Sequence, residues 1–166
     1  MNPLAPFLGW IGVWGGEGEA QTGDPTIVRT EFSLVQGGTA LSMHFEACDP
    51  GYRILYHGVR AILSQAPNGD LRGIAYSTIH RGYLIELTPD DEGVMALTGA
   101  TRGGNRIFVT FVQEDADNLL FTASWRPNTA APAGDDTPRM SAPLRRLFPM
   151  KFERPPGPPA MPPATQ

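Results

Sequence analysis

Turn-forming residues recur at close spacing along this chain, as is typical of all-β domains. The segments between the turns are short, and runs such as residues 106–112 are rich in β-branched and aromatic residues. No window shows a helical apolar stripe, and only residues 3–9 suit a single helical turn. The turn signals are Gly23-Asp24-Pro25, Gln36-Gly37-Gly38, Asp49-Pro50-Gly51, Pro67-Asn68-Gly69-Asp70, Arg81-Gly82, Pro89 to Gly93, Gly103-Gly104, and Asp115 to Asn118. The pattern predicts nine or ten antiparallel strands in a closed up-and-down β-barrel, because closure removes the exposed edges.

Proline is concentrated near the C-terminus, where eleven of the seventeen prolines lie at or after Pro127. Proline cannot donate a hydrogen bond to a strand ladder, so this region is poorly suited to a sheet. We predict a barrel domain over residues 1–147, with its core at 4–127 and room for a closing strand within 139–147. A proline-rich disordered tail is predicted over 148–166.

Charge and cysteine content restrict the partners and the compartment. Residues 1–127 carry eight arginines against fourteen acidic residues, and this acidic balance argues against nucleic acid as a partner. No segment reaches the roughly 18 apolar residues that span a bilayer, and the apolar N-terminus lacks a basic n-region. One cysteine excludes an intramolecular disulfide. These features predict a cytoplasmic protein with no membrane partner; a homodimer is left open.

The most specific motif is FLGWIGVWGGEGE at residues 7–19, in which a short apolar turn precedes G-x-W-x-G-x-G-E. Glycine lets a strand bend sharply at the end of a barrel, and Trp14 is placed to plug that end. The motif resembles the start of calycin-type barrels, most closely the nitrobindin-like, fatty-acid-binding-protein-like family and its relatives of unknown function. The resemblance implies a ligand cavity in the barrel. It also implies a late-strand arginine stacked on Trp14, for which Arg126 is the matching residue.

Nitrobindins bind haem through a histidine on the last strand, and this sequence departs from that pattern. Residues 140–146 resemble the closing strand, but Pro143 or a neighbour stands where the histidine is expected. Met140 alone would be a poor anchor for haem. We therefore predict no cofactor, with haem and a histidine-bound metal as the alternatives.

The three histidines are the main candidates for chemistry. A short turn at Pro50-Gly51 would set His44 opposite His57, and a two-residue turn at Asn68-Gly69 would set His57 opposite His80. Directly opposed residues have Cβ atoms about 4.5–5.5 Å apart, so all three imidazoles would share one row and one face. Such a row suits a metal ion with an open position, or a general base and acid in His57 and His44. A set of histidines facing solvent, or merely packed, is the alternative.

Alternation along the strands predicts a lumen for an apolar or aromatic small molecule, with a solid core as the alternative. A lyase or isomerase on the same barrel, metal-dependent or cofactor-free, is the second hypothesis, and it would use His57 and His44. A scaffold acting through the proline-rich tail is the third. The predicted ligand-binding residues are Trp14, Met43, Phe45, Tyr56, Tyr76, Phe111 and Trp125.

Overall fold

The computed structural model describes residues 3–20, 22–79, 84–89, 96–100, 105–127 and 140–148. Short 3-10 helices occupy Ala5–Trp10 and Gln36–Gly38. None of the helices in the described part of the chain has the length and apolar character needed to cross a bilayer. The described segments form ten strands: β1 (Gly12–Glu19), β2 (Pro25–Val35), β3 (Ala40–Cys48), β4 (Leu55–Gln65), β5 (Leu71–Ser77), β6 (Ile85–Pro89), β7 (Ala96–Ala100), β8 (Asn105–Gln113), β9 (Asn118–Pro127) and β10 (Met140–Phe148).

The strands form a closed antiparallel barrel, as predicted. Each strand pairs with the next along the chain, and β1 pairs with β10 to close the sheet. The predicted closing strand is therefore observed as β10, which lies between β1 and β9. Residues 149–166 of the predicted tail lie outside the described residues, so the tail stays a prediction.

One end of the barrel, which we call the closed end, is plugged by the helix Ala5–Trp10. The buried rings of Phe7 and Trp10 pack there edge to face, with centroids 5.0 Å apart. Trp10 also packs against Phe32 and Phe111, each at 5.2 Å. The opposite end, where β3, β5 and β9 finish, is called the far end below. Aromatic burial of this kind supplies much of the stability of a small β-domain.

Trp14 is completely buried beside the plug, and an arginine stacks on it from a late strand. The arginine is Arg146 of β10, whose guanidinium carbon lies 4.1 Å from the Trp14 ring centroid. The expectation that Arg126 takes this position is wrong, because Arg146 is directly opposite Trp14 across the β1–β10 pair. Arg126 instead lies opposite Arg106 on β8, towards the far end.

The connection between β3 and β4 is longer than the sequence pattern predicts. β3 ends at Cys48 and β4 begins at Leu55, so six residues connect the strands. The Asp49 carboxylate accepts hydrogen bonds from the backbone N–H groups of Gly51, Arg53 and Ile54. The Ile54 bond above all holds the pKa of this carboxyl below its ordinary value, although partial burial opposes the shift. Asp49 therefore stabilises a six-residue loop where the sequence pattern predicts a short turn at Pro50-Gly51.

This loop and a local irregularity at the start of β4 change the register of the sheet. His44 lies opposite Arg60, and His57 lies opposite Ala47. The predicted pairing of His44 with His57 is wrong by three residues, an odd number, and an odd shift moves a side chain to the other face. The register of the next hairpin, between β4 and β5, differs from the prediction by one residue. Val59 lies opposite Ser77, because Gly69, at φ +93°, allows a three-residue loop in place of the predicted two-residue turn.

Candidate functional site

Four of the predicted ligand-binding residues lie in the interior of the barrel. They are Trp14, Met43, Phe45 and Phe111, all buried in the main hydrophobic cluster. Trp125 lies on β9 opposite Ile107, and its side chain lies outside the described part of the structure. Contact of these residues with a ligand stays a prediction.

Tyr56 and Tyr76 do not line the interior. Tyr56 is 40% exposed beside the irregularity at the start of β4, and Tyr76 is 45% exposed on β5. Tyr76 lies opposite Arg60, on the same outer face as the paired residues Ile62 and Ile74. Their predicted place in the lumen is wrong, because the register puts their neighbours Ser77 and His57 inside instead.

The histidines do not form a row. On β3 the buried Met43, Phe45 and Ala47 point inward, so His44 between them points outward. Its Nε2 lies 3.2 Å from Glu46 Oε1 on the same outer face. His57 points inward beside Phe45, and His80 lies outside the described residues. A shared site of His44 and His57, for a metal or for acid and base, is therefore wrong in its geometry.

His57 is held inside the barrel by a serine of the neighbouring strand. Its Nε2 lies 2.8 Å from Ser77 Oγ, and Ser77 is only 2% exposed. Ser77 Oγ also accepts a hydrogen bond from the backbone N–H of Ile79, at 3.2 Å. The His57 ring packs against Phe45, with centroids 5.9 Å apart. This pair places an imidazole and a hydroxyl at the far end of an interior that is mostly apolar.

A second polar group lies on the opposite side of Phe45. Thr30 of β2 is directly opposite both Trp14 and Phe45, and it is 0% exposed. Among the described residues its Oγ1 is the buried side-chain polar atom that has no hydrogen-bond partner. Leaving a buried hydroxyl unpaired costs about 1–3 kcal/mol. An unpaired buried hydroxyl is uncommon in native cores, and Thr30 is therefore a candidate contact for a ligand.

Replacing Thr30 with valine tests whether this hydroxyl is unpaired in the free protein. Valine has nearly the same shape and removes the desolvated hydroxyl, so Thr30→Val should raise the free energy of unfolding by about 1 kcal/mol. Chemical denaturation monitored by tryptophan fluorescence measures the change. A less stable Thr30→Val protein would mean that the hydroxyl already has a partner.

The far half of the interior combines an aromatic wall with short side chains. Phe45 packs against Phe121 at 4.8 Å, and Phe121 against Phe111 at 5.2 Å. Inward positions nearby carry little bulk, and all are almost completely buried: Ala47, Ala75, Ser77 and Ala142. This wall can pack a flat apolar ring, and the His57–Ser77 pair and Thr30 can orient it.

The residues present do not fit the haem that the family resemblance implies. Pro143, at the expected histidine position, has no ligating atom and is exposed on β10. His57 is the described histidine that points inward, and its Nε2 is bonded to Ser77. The described residues also contain no group of three or more His, Cys, Asp or Glu placed around a metal. The predicted lack of a cofactor stays a prediction.

Sequence reasoning missed Thr30 and Ser77, and a signal existed for one of them. Thr30 occupies an inward position in the alternation of Val28, Thr30 and Phe32, where an apolar residue is expected. Ser77 had no such signal, because its face depends on the three-residue loop before β5.

Fold and interior together define a closed ten-stranded antiparallel barrel with buried polar groups at one end. Searches of family models and of curated proteins found no match. Among solved structures, the crystal structure of Rv2717c from M. tuberculosis is similar, with a TM-score of 0.61 and 17% identity over 89% of this chain and 99% of that chain. A de novo designed fluorescence-activating β-barrel gives a TM-score of 0.42 and 14% identity over 88% of this chain and 99% of that chain. At 17% identity the likeness to Rv2717c is one of fold alone.

Proposed function

We propose that this barrel binds an apolar aromatic small molecule in the far half of its interior. The observation that carries the proposal is the His57–Ser77 pair, in which a buried serine holds a half-buried imidazole beside aromatic and short apolar side chains. Binding sites for small molecules combine such an apolar lining with a few placed polar groups. The nitrobindin-like relationship and the cytoplasmic location stay predictions beside it.

The alternative of a lyase or isomerase that uses both histidines has lost its main support. Acid and base must both reach the substrate, and His44 and His57 lie on opposite faces of the sheet. We therefore propose that His57 orients a ligand by packing and hydrogen bonding.

Filling the far half of the interior should abolish binding. Ala47 is completely buried and lies opposite His57, so Ala47→Phe places a ring where the ligand is expected. We expect the wild-type protein to bind naphthalene saturably, with one molecule per chain, in equilibrium dialysis. Overpacking of this kind typically costs about 1–3 kcal/mol, so Ala47→Phe should fold but bind at least about tenfold more weakly.

Val112→Phe is the matched control, because Val112 is 44% exposed on the outside of the barrel. It should bind naphthalene like the wild type. If Ala47→Phe does not fold, Ala75→Leu narrows the same region from β5. Equal binding by Ala47→Phe and Val112→Phe would place the site elsewhere, and no binding by the wild type would reject the proposed function.

A further inference from the structure

The unpaired hydroxyl of Thr30 restricts the chemistry of the ligand. Thr30 lies directly opposite Phe45, while the Phe45 ring also contacts His57. Because directly opposed residues have Cβ atoms about 4.5–5.5 Å apart, a ring that packs on the β2 side of Phe45 lies within reach of the Thr30 hydroxyl. Because Thr30 Oγ1 has no partner among the described residues, a ligand that offers a hydrogen bond there gains a contact that no protein group supplies.

The charge of the interior restricts the ligand further. Among the charged side chains that the structure describes on the strands, all point outward, as with Arg29, Glu31 and Glu46, with one exception. The exception is Arg146, whose guanidinium donates to backbone carbonyls at the closed end. Arg146 lies two strands from Thr30, beyond Trp14, and its guanidinium is already bonded to these carbonyls. A carboxylate bound beside Thr30 would therefore be buried without a free lysine or arginine partner among the described side chains, and burial of an unpaired charge is strongly unfavourable.

We infer that the ligand class is a neutral hydroxylated aromatic compound, such as a phenol or naphthol. Its ring packs on Phe45 and its hydroxyl pairs with Thr30 Oγ1. A hydroxyl suits this position because both it and the threonine can donate or accept, so the pair forms in either direction. The inference rests on the proposed function, since it names the ligand class of that same site.

Three probes of one ring size test the inference by equilibrium dialysis at pH 7. They are naphthalene, neutral 2-naphthol and charged 2-naphthoate, each measured with the wild type, Thr30→Val and Thr122→Val. Thr122→Val is the matched control, because its hydroxyl bonds to Thr110 on the strand face opposite that of the buried Phe121. We expect the wild type and Thr122→Val to bind 2-naphthol about five- to tenfold more tightly than naphthalene, the effect of one hydrogen bond. Thr30→Val should bind 2-naphthol no more tightly than naphthalene, because the naphthol hydroxyl then has no partner.

The outcomes separate this inference from the proposed function. If the wild type binds naphthalene and 2-naphthol equally, the inference is rejected and the site itself stands. If Thr30→Val keeps the preference for 2-naphthol, Thr30 is not its partner and the inference is also rejected. Tighter binding of 2-naphthoate than of 2-naphthol would reject the neutral class. If none of the three probes binds, the proposed function itself fails.

Discussion

Arg146→Ala is expected to lower the free energy of unfolding by about 4 kcal/mol, at the upper end of single-substitution effects. The Arg146 guanidinium donates to three backbone carbonyls, of Gly9, Ile11 and Ala116, at 3.1, 2.6 and 2.9 Å. These carbonyls belong to the plug helix, to the residue that follows it and to the loop between β8 and β9. Alanine would leave them without their donor and remove the stack on Trp14.

Thermal unfolding followed by circular dichroism measures this effect, and a loss of about 4 kcal/mol corresponds to roughly 10 °C in a chain of this size. Arg146→Lys keeps the charge but not the planar fork, so it should recover only a minor part of the loss. Arg145→Ala is the neighbouring control; Arg145 is exposed on β10, and its loss should change stability by no more than about 0.5 kcal/mol. Equal melting temperatures for Arg146→Ala and Arg145→Ala would mean that Arg146 does not hold the closed end together.

The fold could be predicted because its signals are local. Turn residues and β-branched runs indicated the number and approximate position of the strands, and the motif at residues 7–19 indicated the closed end of the barrel. The plug itself is formed by Phe7 and Trp10, and Trp14 is buried beside them. The arginine that completes this plug depends on the register of β10 against β1. No turn connects those two strands, and the composition on either side of Arg146 does not specify a register. From the sequence alone, Arg126 was therefore as good a candidate as Arg146 for the arginine that stacks on Trp14.

The site was predicted less well, because it depends on the lengths of two hairpin loops. The three hydrogen bonds to Asp49 favour a long loop over the short turn at Pro50-Gly51. Gly69, whose backbone is in the left-handed region, favours a three-residue loop in the next hairpin over the predicted two-residue turn. Each loop changes the register by an odd number of residues, and one such step exchanges the inner and outer faces. Met43 and Phe45 kept their predicted interior places because they lie on β3, before either loop, whereas Tyr56 comes after the first loop and lies outside. Tyr76 comes after both loops, whose two odd shifts cancel, so the loops do not account for its outer position.

Gly16→Ala is expected to destabilise the barrel by about 3 kcal/mol, because β1 and β10 approach each other too closely there for a side chain. A Cβ on Gly16 would overlap the carbonyl oxygen of Pro143, which is backbone and cannot rotate away. Gly9→Ala is a matched control, since its Cβ would meet only the end of the Gln113 side chain, which is exposed and can turn away at the cost of one surface hydrogen bond to the Asp115 carbonyl. We expect Gly9→Ala to cost less than about 1 kcal/mol in urea denaturation, as for a displaced surface group. The two substitutions add the same methyl group and differ in whether backbone or a flexible side chain must yield. Equal losses of stability from Gly16→Ala and Gly9→Ala would mean that the added methyl group is unfavourable at both positions alike. The close approach of β1 to β10 would then not explain the glycine-rich first strand.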